Sequence, residues 1–251
     1  MNQNAADLLS MDFNTTLKTA LYTENAANTL RVMHMNGRLK ENLPLVDRLF
    51  EVPERTDFHP EGNSGEHTLL TIKEVREENP ETAAMMRYAM MVHDLGKVVT
   101  FNEQVTKAEA KGEPYEIKDL TKHYGHAEKG VALVNKVSDI LQVPDDWKEF
   151  AALVCKQHMK AHDFDKMRDI KLYEFNDEIP EKFYEPLMQC CLADALGRDV
   201  PAAAKEQTKS DFADKRAKTD DVRHFMKISN GDKNNFANSY AKYKKQNDGN
   251  G

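Results

Sequence analysis

Cysteine is scarce and poorly spaced in this chain: three residues in 251, two of them adjacent as Cys190 and Cys191. That leaves no spaced disulfide framework and no CxxC zinc pattern, so a reducing, cytoplasmic setting is expected. Long apolar runs are missing as well. No stretch approaches the ~18 residues of a membrane span, and the opening MNQNAADLLSMDF is polar and acidic rather than a basic flank before an apolar core. A soluble, unprocessed chain with no membrane partner is therefore expected. Positive excess is also absent. The formal net charge is −7, the wrong sign for holding long nucleic acid through many phosphate contacts. Small phosphorylated ligands are still allowed, because a local pocket can be positive on an acidic protein.

Strand-like alternation and internal repeats are missing too, whereas runs with helical spacing dominate. With 40% hydrophobic residues the chain can bury a real core without staples. The reading is an all-α helical bundle. An N-terminal helical segment falls within residues 1–35, roughly from residue 5. A turn-rich connector, NLPLVDRLFEVPERTDFHPEGNSG, follows, and a helical core runs from about Gly65 to Arg198. Between Asn102 and Lys122 the polar EQVTKAEAKGEPYEIKDLTK reads as an inserted surface loop. Residues 201–251 are lysine- and aspartate-rich and read as a peripheral, partly helical extension, frayed toward KYKKQNDGNG.

Several polar residues fall where apolar ones should. Pro80 suits the first turn of a helix through ETAAMMRYAMMVHD, with Gly96 just past its end, so His93 and Asp94 occupy the last turn of an almost wholly apolar helix. In PEKFYEPLMQCCLADALGRD, Phe183, Leu187, Cys190, Cys191 and Asp194 share one face, with Pro186 as an alternative helix start. In DDWKEFAALVCKQHMKAH, Phe150, Leu153, Val154, His158 and His162 form another stripe. His67 opens a helix backed by Leu69, Ile72 and Val75, and His126 opens one backed by Val131 and Val134. One histidine on an apolar face is ordinarily a satisfied core residue. Imidazoles and carboxylates delivered from five helices are best satisfied together by a divalent cation between them. His and Asp suit Mn, Fe, Co, Ni, Zn or Mg, and residue type does not choose among these.

These residues, in this order, resemble the HD-domain superfamily of metal-dependent phosphohydrolases, whose signature is a His, a later His-Asp doublet and a final Asp. The run from about Leu39 to Arg198, with LPLVDRLFEVP, HPEG, EHTLLTI, HDLGK, HYGHAEKGVALV, LQVP and ADALGRD, is similar to the C-terminal HD region of bacterial CCA-adding tRNA nucleotidyltransferases. The resemblance implies an HD phosphohydrolase domain over residues 36–200, with His67, His93, Asp94 and Asp194 as metal ligands. Asp94 is also the candidate group to orient or deprotonate water.

His126 and His158 sit where some HD proteins bind a second metal, or alternatively contact the phosphate or protonate the leaving oxygen. Lys97 is a phosphate contact or a surface lysine. Arg198 reaches the same pocket or caps its helix. His162 is a weaker substrate contact and His123 weaker still, while His34, His59 and His224 read as structural or surface residues. The first 35 residues are too few for the nucleotidyltransferase head and lack its Asp-x-Asp pair, so CCA addition is not expected. What carries over is hydrolysis of 2′,3′-cyclic phosphodiesters, 2′-nucleotides and simple phosphate monoesters, on small nucleotides or RNA ends. The rival readings are an HD-type deoxynucleotidase acting on 5′-nucleotides and a non-catalytic nucleotide- or metal-binding module.

Overall fold

The computed structural model describes residues 12–112, 114–229 and 236–247. The part of the N-terminal segment before Asp12, and residues 230–235 and 248–251 of the extension, lie outside that range. Among the described residues the chain is all-α, with only an isolated antiparallel bridge between Pro53 and Asn63. No helix among them is long and apolar enough to cross a membrane.

The N-terminal segment is two helices, α1 (Phe13–Leu21) and α2 (Ala26–Met35), the first started by Asp12, whose carboxylate accepts from Thr15 N at 3.0 Å. Short helices α3 (Arg38–Asn42) and α4 (Pro44–Asp47) lead into a 3-10 turn and then a loop. The loop folds back on itself through the Pro53–Asn63 bridge and a bond from Glu54 N to Gly62 O of 3.0 Å. Helix α5 (Ser64–Glu74) begins there, capped by Asn63.

Helix α6 (Pro80–Val92) is the axis of the fold. Asn79 caps it, Pro80 fits its first turn, and every residue from Ala83 to Val92 is buried. Alanines let neighbours approach and the unbranched methionines fill the gaps between them. The helix packs against α1, α5, α9 (Asp145–Gln157) and α11 (Glu181–Leu196). Its two polar core residues are satisfied. Arg87 donates to Leu21 O at 2.9 Å, and Tyr88 shares a 2.7 Å bond with Ser138.

The helix stops at Val92, so His93 and Asp94 lie in the turn that follows, and Gly96 opens the next helix, α7 (Gly96–Lys111), instead of ending α6. Glycine is required there by packing. A Cβ would overlap the His126 carbonyl oxygen and stand 2.7 Å from Gly130 N, so α7 and α8 (His126–Leu141) meet backbone to backbone. Helix α7 also corrects the expected 102–122 loop. Its Ala, Glu and Lys residues carry the helix to Lys111, and it ends only where Gly112 adopts φ 66°. Residues 114–125 are irregular apart from a 3-10 turn at Ile117–Asp119.

Two further boundaries differ from the sequence pattern. Helix α9 ends at Gln157, and His158–Asp163 is a 3-10 turn, so the two histidines do not continue the α-helical stripe. Helix α11 starts at Glu181, with Pro186 inside it. The segment after Pro201 forms α12 (Ala202–Ile228), a continuous helix packed on α11, on α10 (Asp169–Asp177) and on the 158–163 turn. Asn176 donates to Thr219 Oγ1 at 2.9 Å and Arg223 to Glu181 at 2.8 Å, which stitches α12 in place. A last helix, α13 (Phe236–Asn247), adds Phe236 and Tyr240 to a cluster with Phe225.

Candidate metal centre

Five elements deliver six buried groups to one point: His67 from α5, His93 and Asp94 from the end of α6, His126 from α8, His158 from the turn after α9, and Asp194 from α11. Asp94 is the hub. Its Oδ2 lies 3.3 Å from His93 Nε2 and 3.9 Å from His67 Nε2, and its Oδ1 lies 3.2 Å from His126 Nε2 and 3.6 Å from His158 Nε2. Asp194 Oδ1 sits 2.9 Å from His67 Nε2 and 3.4 Å from His93 Nε2. Spacings of about 3 Å are what adjacent donors adopt around a cation held at about 2.1 Å. Three overlapping sets, His67–His93–Asp94, His93–His158–Asp194 and Asp94–His126–His158, each keep their donor atoms within 4.8 Å of one another.

The backs of the four imidazoles fix which nitrogen faces inward. Nδ1 of His67 lies 2.8 Å from Gly197 O, that of His93 2.7 Å from Met90 O, that of His126 2.7 Å from His123 O, and that of His158 3.0 Å from Cys155 O. A carbonyl can only accept, so each Nδ1 carries a hydrogen and each ring turns its Nε2 to the centre, where a bound cation would take the place of any proton on it. Nε2 of His126 and Nε2 of His158 then face each other at 3.2 Å. Two lone pairs at that separation repel unless a proton or cation lies between them. His93 Nε2 and both Asp94 oxygens are buried without a hydrogen bond of acceptable geometry, an orphaning that native proteins avoid unless a ligand is meant to satisfy it. The donor set therefore fits a divalent cation.

Charge supports the same fit. Burial raises the carboxyls of Asp94 and Asp194, but the imidazoles around them, and Lys97 beside Asp94, hold both well below the usual range. Burial lowers His67 and His93, yet Asp194 and Glu61 lift His67 to about 9, and Asp94 and Asp194 lift His93 to about 10. Burial, joined by the neighbouring His93 and His126, outweighs Asp194 and Asp94 and pushes His158 down to about 3, so that ring is neutral.

Lys97 is buried, which removes the surface-lysine alternative. Its Nζ lies 2.6 Å from Glu54 Oε1 and 2.9 Å from Asp94 Oδ2, and those carboxylates raise it against the pull of burial. Glu54 and Glu61 escaped notice in the sequence. Glu54 accepts from Ser64 and Lys97. Glu61 Oε1 lies 2.8 Å from His59 Nδ1 and 3.1 Å from His67 Nδ1, buttressing His67 from behind. Both come from the folded-back connector, where no helical period marks inward positions. The HPEG match was the one available signal.

His162 stands at the edge, half-exposed, its Nε2 3.3 Å from Asp194 Oδ2. Arg198 donates to Ala195 O at 3.0 Å and Thr208 Oγ1 at 3.1 Å, combining the helix-end and pocket placements. His123 is tied to Thr100 and Pro53 O. His34 pairs with Asp47 and stacks on Phe50, away from the site. A cavity of about 810 Å³ opens over the cluster. Its rim carries Arg55, Lys122, Arg198 and Lys215, with Phe58 (54% exposed) and Tyr124 (84% exposed) beside them. Asp211 also lines the cavity and Arg55 pairs with Asp57, yet basic groups outnumber acidic ones at the mouth.

No family model matches the chain. It is 32% identical over 184 residues to a multifunctional CCA protein of Acinetobacter baumannii (strain SDF), covering 71% of this chain and 40% of that protein. Against the multifunctional CCA protein of Alkalilimnicola ehrlichii the identity is 33% over 186 residues, 72% of this chain and 41% of the relative. Against that of Acinetobacter baylyi it is 32% over 196 residues, 74% and 43%. The chain spans about two fifths of the length of these curated relatives. Most of it is therefore a region homologous to part of the multifunctional CCA proteins.

Proposed function

We propose that this chain is an HD-type metal-dependent phosphohydrolase, cleaving phosphodiester or phosphomonoester bonds of small nucleotides or RNA ends, with 2′,3′-cyclic phosphodiesters and 2′-nucleotides as its preferred substrates. The observation that carries this reading is the convergence of four imidazole Nε2 atoms on Asp94 and Asp194 beneath a cavity rimmed by basic side chains. His67, His93, Asp94 and Asp194 hold a divalent cation, and His126 and His158 either complete a second site or contact the phosphate. Residues 36–200 carry every one of these groups. The 201–251 extension adds Lys215 to the rim.

The cation that His67, His93, Asp94 and Asp194 would hold would supply charge to steady the phosphoryl oxygens and to lower the pKa of water. Asp94 would orient the attacking water, while Lys97, sandwiched between Asp94 and Glu54, keeps the carboxylate ionised. Arg198 and Lys215 draw the phosphate to the mouth. His162, half-exposed above Asp194, contacts the substrate, and His126 or His158, where it does not bind a second metal, contacts the phosphate or protonates the leaving oxygen.

The test is a panel of 2′,3′-cyclic AMP, 2′-AMP, 3′-AMP, 5′-dNMPs and a generic phosphodiester, run with Mn, Ni, Co, Mg, Fe or Zn, with a chelator, and with Asp94→Ala. Metal-dependent turnover of the cyclic ester and 2′-AMP is expected. Asp94→Ala should remove metal and activity from a folded chain, by more than the roughly 100-fold that loss of an outer partner costs. Turnover confined to 5′-dNMPs would replace this reading with a 5′-nucleotidase. Full activity in metal-free Asp94→Ala would end it.

A further inference from the structure

Beside the metal cavity lies a groove of about 600 Å³ between α7 and residues 114–124. Four lysines line it, Lys107, Lys111, Lys122 and Lys129, together with Tyr115 (40% exposed) and Tyr124. Among the described residues the one carboxylate in the lining is Glu103, which Lys129 binds at 2.7 Å and Lys107 also attracts. Lys107, Lys111 and Lys122 make no ion pair among the described residues. Lys107 and Lys111 stand one helical turn apart, a like-charge pair that costs stability unless an anion uses it. An acidic chain gathering four ammonium groups, against one carboxylate among the described lining residues, around exposed rings calls for an anionic, aromatic ligand. Lys122 and Tyr124 line both the groove and the metal cavity, so the two adjoin.

We propose that this groove is the track for a short single-stranded RNA whose 3′ end enters the metal cavity, with Lys107, Lys111 and Lys122 on phosphates and Tyr115 and Tyr124 stacking on bases. This rests on the phosphohydrolase reading for the chemistry at the end, and RNA follows from the 2′-oxygen which that chemistry requires. Basic grooves interleaved with aromatic rings hold single strands with little sequence preference. Three phosphate contacts suit an end-binding acidic protein, whereas long nucleic acid would need many more. An acidic peptide would use the lysines and leave the rings without a role.

The test is fluorescence anisotropy with a labelled oligoribonucleotide of about eight nucleotides ending in a 2′,3′-cyclic phosphate, with chelator present to stop turnover. Hydrolysis of 2′,3′-cyclic AMP is followed in parallel with metal. Lys107→Glu with Lys111→Glu should weaken RNA binding about 10-fold or more, and should make the log–log salt dependence shallower by about 1.4 for two lost contacts. Tyr115→Ala should weaken it about 5-fold or more, and all variants should hydrolyse cyclic AMP as the parent does. If the Glu pair lowers the melting temperature, Lys107→Gln with Lys111→Gln is read instead. RNA binding that ignores these residues, or polyglutamate binding that matches it and ignores Tyr115, would overturn the track. The two readings separate cleanly. RNA held through the groove without hydrolysis of any ester leaves the track and removes the phosphohydrolase. Cyclic AMP hydrolysis with groove-independent RNA binding does the reverse.

Discussion

The two oxygens of Asp94 look onto two halves of one cluster, built from the same residue types and backed differently. On the Oδ2 side, His67 and His93 face Asp194, and Glu61 and Lys97 stand behind. On the Oδ1 side, His126 and His158 are backed by main-chain carbonyls alone. Burial is nearly total on both sides, yet proton affinity runs in opposite directions: about 9 and 10 for His67 and His93, about 3 for His158. Burial alone thus does not set the behaviour of these imidazoles. At His67 and His93 the carboxylates of Asp194, Glu61 and Asp94 outweigh burial, whereas at His158 burial, with the neighbouring His93 and His126, outweighs Asp194 and Asp94.

The comparison is most sharply broken at Glu61. Glu61→Gln keeps the shape of the contact to His67 and removes its charge, so cation affinity should fall about 10- to 100-fold. Isothermal titration with Mn reads the change, and an unchanged affinity would mean that the carboxylate behind His67 does not tune the site.

A smaller effect lies in the pH dependence of stability in chelated protein. His67 and His93 bind protons more tightly folded than unfolded, so their contribution is complete below about 6.5 and is lost as pH rises toward 9 and 10. His158 has the opposite sign, because the unfolded ring takes a proton that the folded one refuses, and stability is lost as pH falls below 6.5. Melting temperature should therefore peak near pH 6.5, each kcal/mol being worth about 2–4 °C in a chain of this size. His158→Gln should flatten the acid limb between pH 5 and 6.5 and leave the alkaline limb alone. A limb that responds the other way would contradict the assignment.

What could be read from the sequence follows from periodicity. His93 and Asp94 stood out because α6 is apolar all round, and Asp194 because it continues the stripe of Phe183, Leu187, Cys190 and Cys191, all of them buried. Glu54 and Glu61 did not, because a folded-back loop has no period and its inward positions are set by the Pro53–Asn63 bridge. The insertion read as a loop because polarity suggests exposure, and α7 shows that an exposed run of Ala, Glu and Lys can remain helical. Gly96 read as a terminator because glycine often ends helices. Its reason, contact with the backbone of α8, is a tertiary one that no local pattern carries.

The most direct measurement is an anomalous difference map from crystals soaked in Mn. The expected peak lies about 2.0–2.3 Å from Nε2 of His67 and His93 and from carboxylate oxygens of Asp94 and Asp194, with any second peak on the His126–His158 side. A map with no density between those groups, from crystals of a protein that hydrolyses its substrate in the same Mn, would contradict the metal centre.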